Sequence, residues 1–343
     1  MDNRLHCRTT CRPRSSPGEI AAHVARFVSK TIPHFLKKFV SLTDKTQPAL
    51  SESRKNIPLF WLSILCYFAF LEIIMLWKNP QLFLSVPIVM NRLIFIIIFV
   101  LVLALERKLP GRDFLLFSII AAYAALTVLY KETAMLNQLF YPVLDPVLSE
   151  FDYKLTGIQP ALLFSERFDS VLFSELMYFG YFSYYLTPLA ILTLIFFKKS
   201  ELLEQFGFVL ITSFLIYYLI FILFPAIGPQ FYFSAPENSI EAKGIFGHLV
   251  KLIQKNGEAP TAAFPSSHVG IALICLIWLW KNAKKYVFFF LPNVFLLILA
   301  TVYIKAHYLV DVMAGVISAP VVYFVVVKLY DRLKRIKPVN GPP

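Results

Sequence analysis

The chain has 343 residues, 58% of them apolar and 16% aromatic, with only 16% charged and a mean hydropathy of +0.65. That balance excludes a soluble globular domain and a disordered chain, and it favours a protein built of membrane-crossing segments. The formal net charge of +12 is large enough for a nucleic-acid binder. Its basic residues, however, lie in tails and short loops between apolar runs, so no nucleic-acid partner is expected.

Residues 1–57 read as a basic cytoplasmic tail, too polar to hold the apolar core of a signal peptide. Cys7 and Cys11 sit beside His6 in an Arg-rich stretch that reads as disorder rather than as a metal site. Over residues 19–42, Ile20, Val24, Phe27 and Val28 begin a helical apolar spacing opposed by Arg26, Lys30, Lys37 and Lys38. The spacing predicts an amphipathic helix lying on the membrane, kinked or split at Pro33.

Eight apolar runs follow, at residues 58–77, 86–105, 113–130, 176–197, 206–224, 266–281, 286–304 and 309–328, each near the length of one crossing. Residues 329–343 are expected as a second cytoplasmic tail. With both termini in the cytoplasm, 24 of the 33 Lys and Arg fall on the inside, 8 on the outside and Arg92 within the second run. This bias predicts that orientation. Two outside stretches are long. Residues 131–175 hold broken apolar pieces, 136–148 and 155–173, expected as interfacial or re-entrant helices. Residues 225–264 mix Pro, Gly, Lys and Glu and are expected to cover a site. The runs form one membrane domain, 58–328, with a catalytic core at about 176–328 and no internal repeat.

Chemistry concentrates between Phe264 and Gly315. Phe264-Pro265-Ser266-Ser267-His268 enters one apolar run, and Tyr303-Ile304-Lys305-Ala306-His307-Tyr308-Leu309-Val310-Asp311 enters another. Two crossings separate the histidines, which places both on one side of the bilayer, here the extracytoplasmic side. His307 and Asp311 are four apart and share a helical face. A histidine nucleophile needs a carboxylate to set its tautomer, and a second histidine can protonate a leaving group. Ser266 and Ser267 are suitable N-caps, and the helices after Ser266 and around Asp311 offer N-termini that favour phosphate.

These residues resemble the type 2 phosphatidic acid phosphatase superfamily of lipid phosphatases and phosphotransferases. Pro265-Ser266-Ser267-His268 is similar to its Pro-Ser-Gly-His motif, with Ser267 in place of glycine. His307 and Asp311 resemble the His and Asp of its last motif, and Tyr303 and Gly315 also fit. Thr301 stands where that motif usually carries arginine. The family's first motif, a lysine and an Arg-Pro pair, is not recognisable around Phe224-Pro225-Ala226-Ile227-Gly228-Pro229. These departures resemble the inositol phosphorylceramide synthase branch.

The resemblance implies an all-α membrane protein with a six-helix phosphatidate phosphatase-type core. His307 is then the nucleophile, His268 the general acid and Asp311 the residue that orients His307. Ser266, Ser267 and Lys305 are candidates for the substrate phosphate, with Arg92, Arg167 and Lys251 as more distant cations. No cofactor and no metal are expected, since no further carboxylate or Cys/His cluster joins the histidines. The expected function is phosphoryl transfer on a membrane lipid through a phosphohistidine, to an alcohol acceptor. Hydrolysis of a lipid phosphate is the alternative reaction. A non-catalytic lipid-binding or scaffold protein is the alternative of another class, and a transporter fits less well because no inverted repeat is seen and few charges, Glu72 among them, lie near a span centre.

Overall fold

The computed structural model describes residues 57–106 and 108–336. The expected interfacial helix at 19–42, the Cys7–Cys11 stretch and the last seven residues lie outside that range. Among the described residues every regular element is helical. Eight long apolar helices follow one another: α1 (Leu59–Lys78), α2 (Val86–Glu106), α3 (Gly111–Leu136), then, after two short helices, α4 (Asp145–Thr156) and α5 (Pro160–Arg167), α6 (Val171–Lys198) and α7 (Leu203–Leu223). The amphipathic α8 (Ile245–Gly257) precedes α9 (Ser267–Asn282), α10 (Val287–Tyr303) and α11 (Leu309–Ile336).

Seven of these helices are long and apolar enough to cross a membrane, making this an all-α multi-pass membrane protein. The eighth expected span, α9, has 16 residues, about 24 Å at 1.5 Å per residue and short of a ~30 Å hydrocarbon layer. It nevertheless runs from the histidines to the opposite end of the bundle, where the Lys199 ammonium donates to the Asn282 carbonyl at 2.8 Å. α3 extends to Leu136 rather than 130 and α11 to Ile336 rather than 328.

α7 is apolar on all sides and forms the centre, with most of its side chains buried. It packs against α1, α3, α9 and α11, while α6 pairs with α10 and α9 with α11. α2 touches chiefly α3 and leaves most of its surface outward. Large side chains such as Ile97, Phe288, Phe289 and Ile317 point outward, as a lipid-facing surface requires. Close approach of α9 and α11 depends on Gly315, where an added Cβ would lie 2.7 Å from the Ser266 carbonyl oxygen.

Arg92 joins the first three helices instead of reaching the histidines. Its guanidinium donates two hydrogen bonds of 2.7 Å to the buried Glu132 carboxylate, pairs with Glu72, and lies 4.4 Å from the centre of the Phe68 ring. A charge at this depth requires such partners. The pairing also explains why α3 continues through Lys131-Glu132-Thr133, which reads in the sequence as the start of a loop.

Candidate active site

The site lies where α9, α11 and the turn between α10 and α11 meet beneath α4, α5 and α8. Ser266 is the N-cap of α9: its hydroxyl accepts from the Val269 N–H at 3.4 Å, and its own N–H donates to the Asp311 carbonyl at 2.9 Å. His268 thereby projects from the first turn of α9. α10 ends in a turn over residues 304–307 in which Lys305 takes φ 66°. The Thr301 carbonyl accepts from both the Ala306 and His307 N–H groups at 3.1 Å, and the Thr301 hydroxyl returns to the Ile298 carbonyl. Thr301, which stands where the motif carries arginine, thus shapes the turn that presents His307.

The two histidines are in direct contact. His268 Nδ1 lies 3.1 Å from His307 Nε2. The other nitrogen of each ring is backed from behind. His307 Nδ1 is 2.8 Å from the Ala263 carbonyl oxygen and 3.5 Å from Asp311 Oδ2. Both neighbours are acceptors, so Nδ1 carries the proton and the Nε2 lone pair faces His268. Asp311 is fully buried, and its Oδ2 also accepts from the Tyr308 N–H at 2.8 Å, while Oδ1 has no hydrogen-bond partner. The carboxylate expected to orient His307 therefore shares that task with a main-chain carbonyl, which makes the shorter contact. On the far side of His268, Nε2 lies 3.0 Å from the Tyr181 hydroxyl, which donates to Glu258 Oε1 at 2.7 Å. Glu258 Oε2 accepts from the carboxamides of Gln230 and Gln254 at 2.6 and 3.3 Å.

Two aspartates that the sequence did not single out clamp this turn from above. Asp145 and Asp152, seven residues apart and both fully buried, lie on one face of α4. Asp152 accepts from the Leu309 and Val310 N–H groups at 2.7 and 2.9 Å, so it occupies the N-terminus of α11 that the sequence suggested for phosphate. Burial pushes its carboxyl up, and those two N–H groups hold it back down. Asp145 accepts from the Ile227 and Gly228 N–H groups, both at 2.8 Å, and from the Tyr308 hydroxyl at 3.2 Å. Gly228 takes φ 89°, and a Cβ there would lie 2.8 Å from the Ala306 carbonyl oxygen. The 225–229 loop can thus lie against the His307 turn only with glycine at that position.

Of the other sequence candidates, Ser266 and Ser267 are buried at the head of α9. The Lys305 ammonium donates to the carbonyls of Glu237 and Leu162. Burial lowers the Lys305 ammonium and the charges of Glu166 and Glu237 raise it. Lys251, on α8, is lowered by burial first and then by Lys305, against the charge of Glu258. Arg167 is exposed at the rim of an apolar groove of about 660 Å³ lined by α5, α10 and the start of α11. Among the described residues, no group of three or more His, Cys, Asp and Glu is placed to hold a metal ion.

The profile of the PAP2 superfamily matches residues 154–325, half of the chain, and takes in both histidines and Asp311. The chain belongs to the PAP2 superfamily. A PA-phosphatase related-family protein of Dictyostelium discoideum is 27% identical over 109 residues, which cover 31% of this chain and 20% of that relative. The chain therefore matches about a fifth of that protein's length. No solved structure matches. The PAP2 match begins at residue 154, after Asp145 and Asp152 and within α4.

Proposed function

We propose that this PAP2 protein is a membrane lipid phosphoryl-transfer enzyme working through a phosphohistidine on His307. The contact between His307 Nε2 and His268 Nδ1, with the rear nitrogen of each ring held by a partner, carries this reading. In the first half-reaction Nε2 forms a bond to phosphorus, the bond from phosphorus to the leaving oxygen breaks, and His268 gives that oxygen its proton. In the second, a hydroxyl oxygen attacks phosphorus, His268 takes the hydroxyl proton, and the N–P bond breaks to restore His307. A phosphorus needs about 3–3.5 Å to its nucleophile and the acid about 2.6–3.2 Å to the leaving oxygen, so the rings must part to roughly twice their present gap when substrate enters. The Ser266–Ser267 head of α9, with the positive end of its helix dipole, is the proposed phosphate contact. The side of the site is proposed to be extracytoplasmic, on the distribution of Lys and Arg.

Transfer to an alcohol, as in the inositol phosphorylceramide synthase branch, is the preferred reaction. A phosphomonoester dianion calls for several cations. Here Thr301 replaces an arginine, Lys305 is engaged by carbonyls, and Arg92 is paired with Glu72 and Glu132. A phosphodiester carries less charge. Hydrolysis is the second reading, favoured by the name of the Dictyostelium relative. The purified protein in defined lipid vesicles, given a phospholipid donor and a hydroxylated acceptor, is expected to make a new phosphodiester and to release little phosphate from phosphatidate. Rapid phosphate release from phosphatidate, indifferent to any alcohol, would establish hydrolysis instead.

A further inference from the structure

The contacts behind His268 form one line: His307 Nε2, His268 Nδ1, His268 Nε2, the Tyr181 hydroxyl and Glu258 Oε1, with successive gaps of 3.1, 3.0 and 2.7 Å between groups. Each gap needs one proton. His307 spends its own on the Ala263 carbonyl, so neutral His268 and Tyr181 supply two for three gaps. Because the Tyr181 hydroxyl donates to Glu258 Oε1, the third lies on the imidazole pair. Gln230 and Gln254 donate to the other Glu258 oxygen and fix which oxygen faces Tyr181.

We infer that Glu258, acting through the Tyr181 hydroxyl, stabilises the imidazolium form from which His268 acts as general acid. This rests on the proposed role of His268. With the Tyr181 hydroxyl donating to Glu258, its oxygen accepts the Nε2–H of His268, whose Nδ1–H faces His307. His268 is then an imidazolium, and its Nδ1 proton goes to the leaving oxygen. His268 is then neutral with a bare Nδ1, ready to take the acceptor's proton, and that proton restores the starting count. Glu258 and Tyr181 are positioning residues, since neither touches the phosphoryl group.

The other titratable groups facing this line are Tyr130 of α3, Tyr184 and Tyr185 of α6, Lys251 of α8, and His307 with Asp311 behind it. Among them Lys251 and a protonated His307 are cations that oppose an imidazolium at His268. The Glu258 carboxylate is the anion on its Nε2 side, reached through Tyr181, and Asp311 lies beyond His307.

The test uses the full chain in lipid nanodiscs with 15N-labelled histidine, His268 being assigned by the loss of its signal in His268→Gln. In Glu258→Gln the His268 titration is expected to fall by about one pH unit or more, as for loss of a nearby opposite charge. Tyr181→Phe breaks the line without touching the carboxylate and is expected to give the same shift, with the double variant adding nothing further. The alkaline limb of turnover moves down in step for an alkyl leaving group and stays in place for an aryl one, which needs no acid. An unshifted His268 titration in both single variants, or additive shifts in the double, overturns the role of Glu258. If the titrations shift as expected while His307→Ala keeps full turnover, the role of Glu258 stands and the phosphohistidine reading fails.

Discussion

Asp152→Asn is expected to disable the enzyme from outside the reacting centre. The carboxylate accepts two main-chain N–H groups, Leu309 at 2.7 Å and Val310 at 2.9 Å, in a fully buried position. A carboxamide keeps one acceptor and turns an N–H2 toward the second N–H. One charge-assisted bond, worth roughly 1.5–3 kcal/mol, is lost, and a buried N–H is left facing a donor at a cost of about 1–3 kcal/mol. The affected backbone is two and three residues from His307 and opens the helix that bears Asp311. If 2–4 kcal/mol of that loss appears in the catalytic geometry, kcat falls by about 30- to 1000-fold. KM should change little, because the α9 head that is proposed to bind phosphate is untouched. Initial rates of phosphodiester formation in vesicles, read beside thermal unfolding, separate the two effects. A kcat within about twofold of wild type at full folding would refute the idea that α4 holds the turn bearing His307.

Two further outcomes are expected. Arg92→Leu leaves Glu132 buried without its bidentate partner, and the folded bundle should lose about 3–5 kcal/mol, read as a lowered midpoint of unfolding in detergent; an unchanged midpoint would mean that Glu132 is neutral without Arg92. A cysteine at Ser239, which is exposed, should react with an impermeant thiol reagent added outside intact cells or sealed vesicles, and one at Lys285 should not; the reverse pattern would move the site to the cytoplasmic side.

The long helices are legible because crossing a bilayer imposes length and apolarity together, and every expected run has a helix over it. The misreadings have local causes. Lys131, Glu132 and Thr133 look like a loop because the Arg92 that neutralises Glu132 lies 40 residues earlier. α8 hides in a stretch rich in Pro, Gly and Lys, and its N-terminus is capped by a side chain from α6, Glu175, which accepts from the Phe246 and Gly247 N–H groups at 2.9 Å.

In the site, the His268, His307 and Asp311 positions can be read from motif spacing, since each stands at the edge of an apolar run. The Ala263 carbonyl cannot, because a main-chain acceptor leaves no mark on residue type. Asp145 and Asp152 satisfy N–H groups at positions 227–228 and 309–310, far along the chain. Their spacing of seven on a short helix was the available signal. Glu258 and Tyr181 are 77 residues apart and meet only through the packing of α8 on α6.

The central claim is covalent chemistry at one nitrogen, and trapping it is the most direct measurement. The purified protein is incubated briefly with a phospholipid donor labelled at phosphorus, then quenched in alkaline detergent, where an N–P bond survives. The label is expected on the peptide containing His307, to be released by mild acid, and to be absent in His307→Ala. In His268→Ala it should still form from a donor with an aryl leaving group. Steady turnover with no acid-labile label on the chain, or label retained in His307→Ala, would contradict the assignment of His307 as the nucleophile.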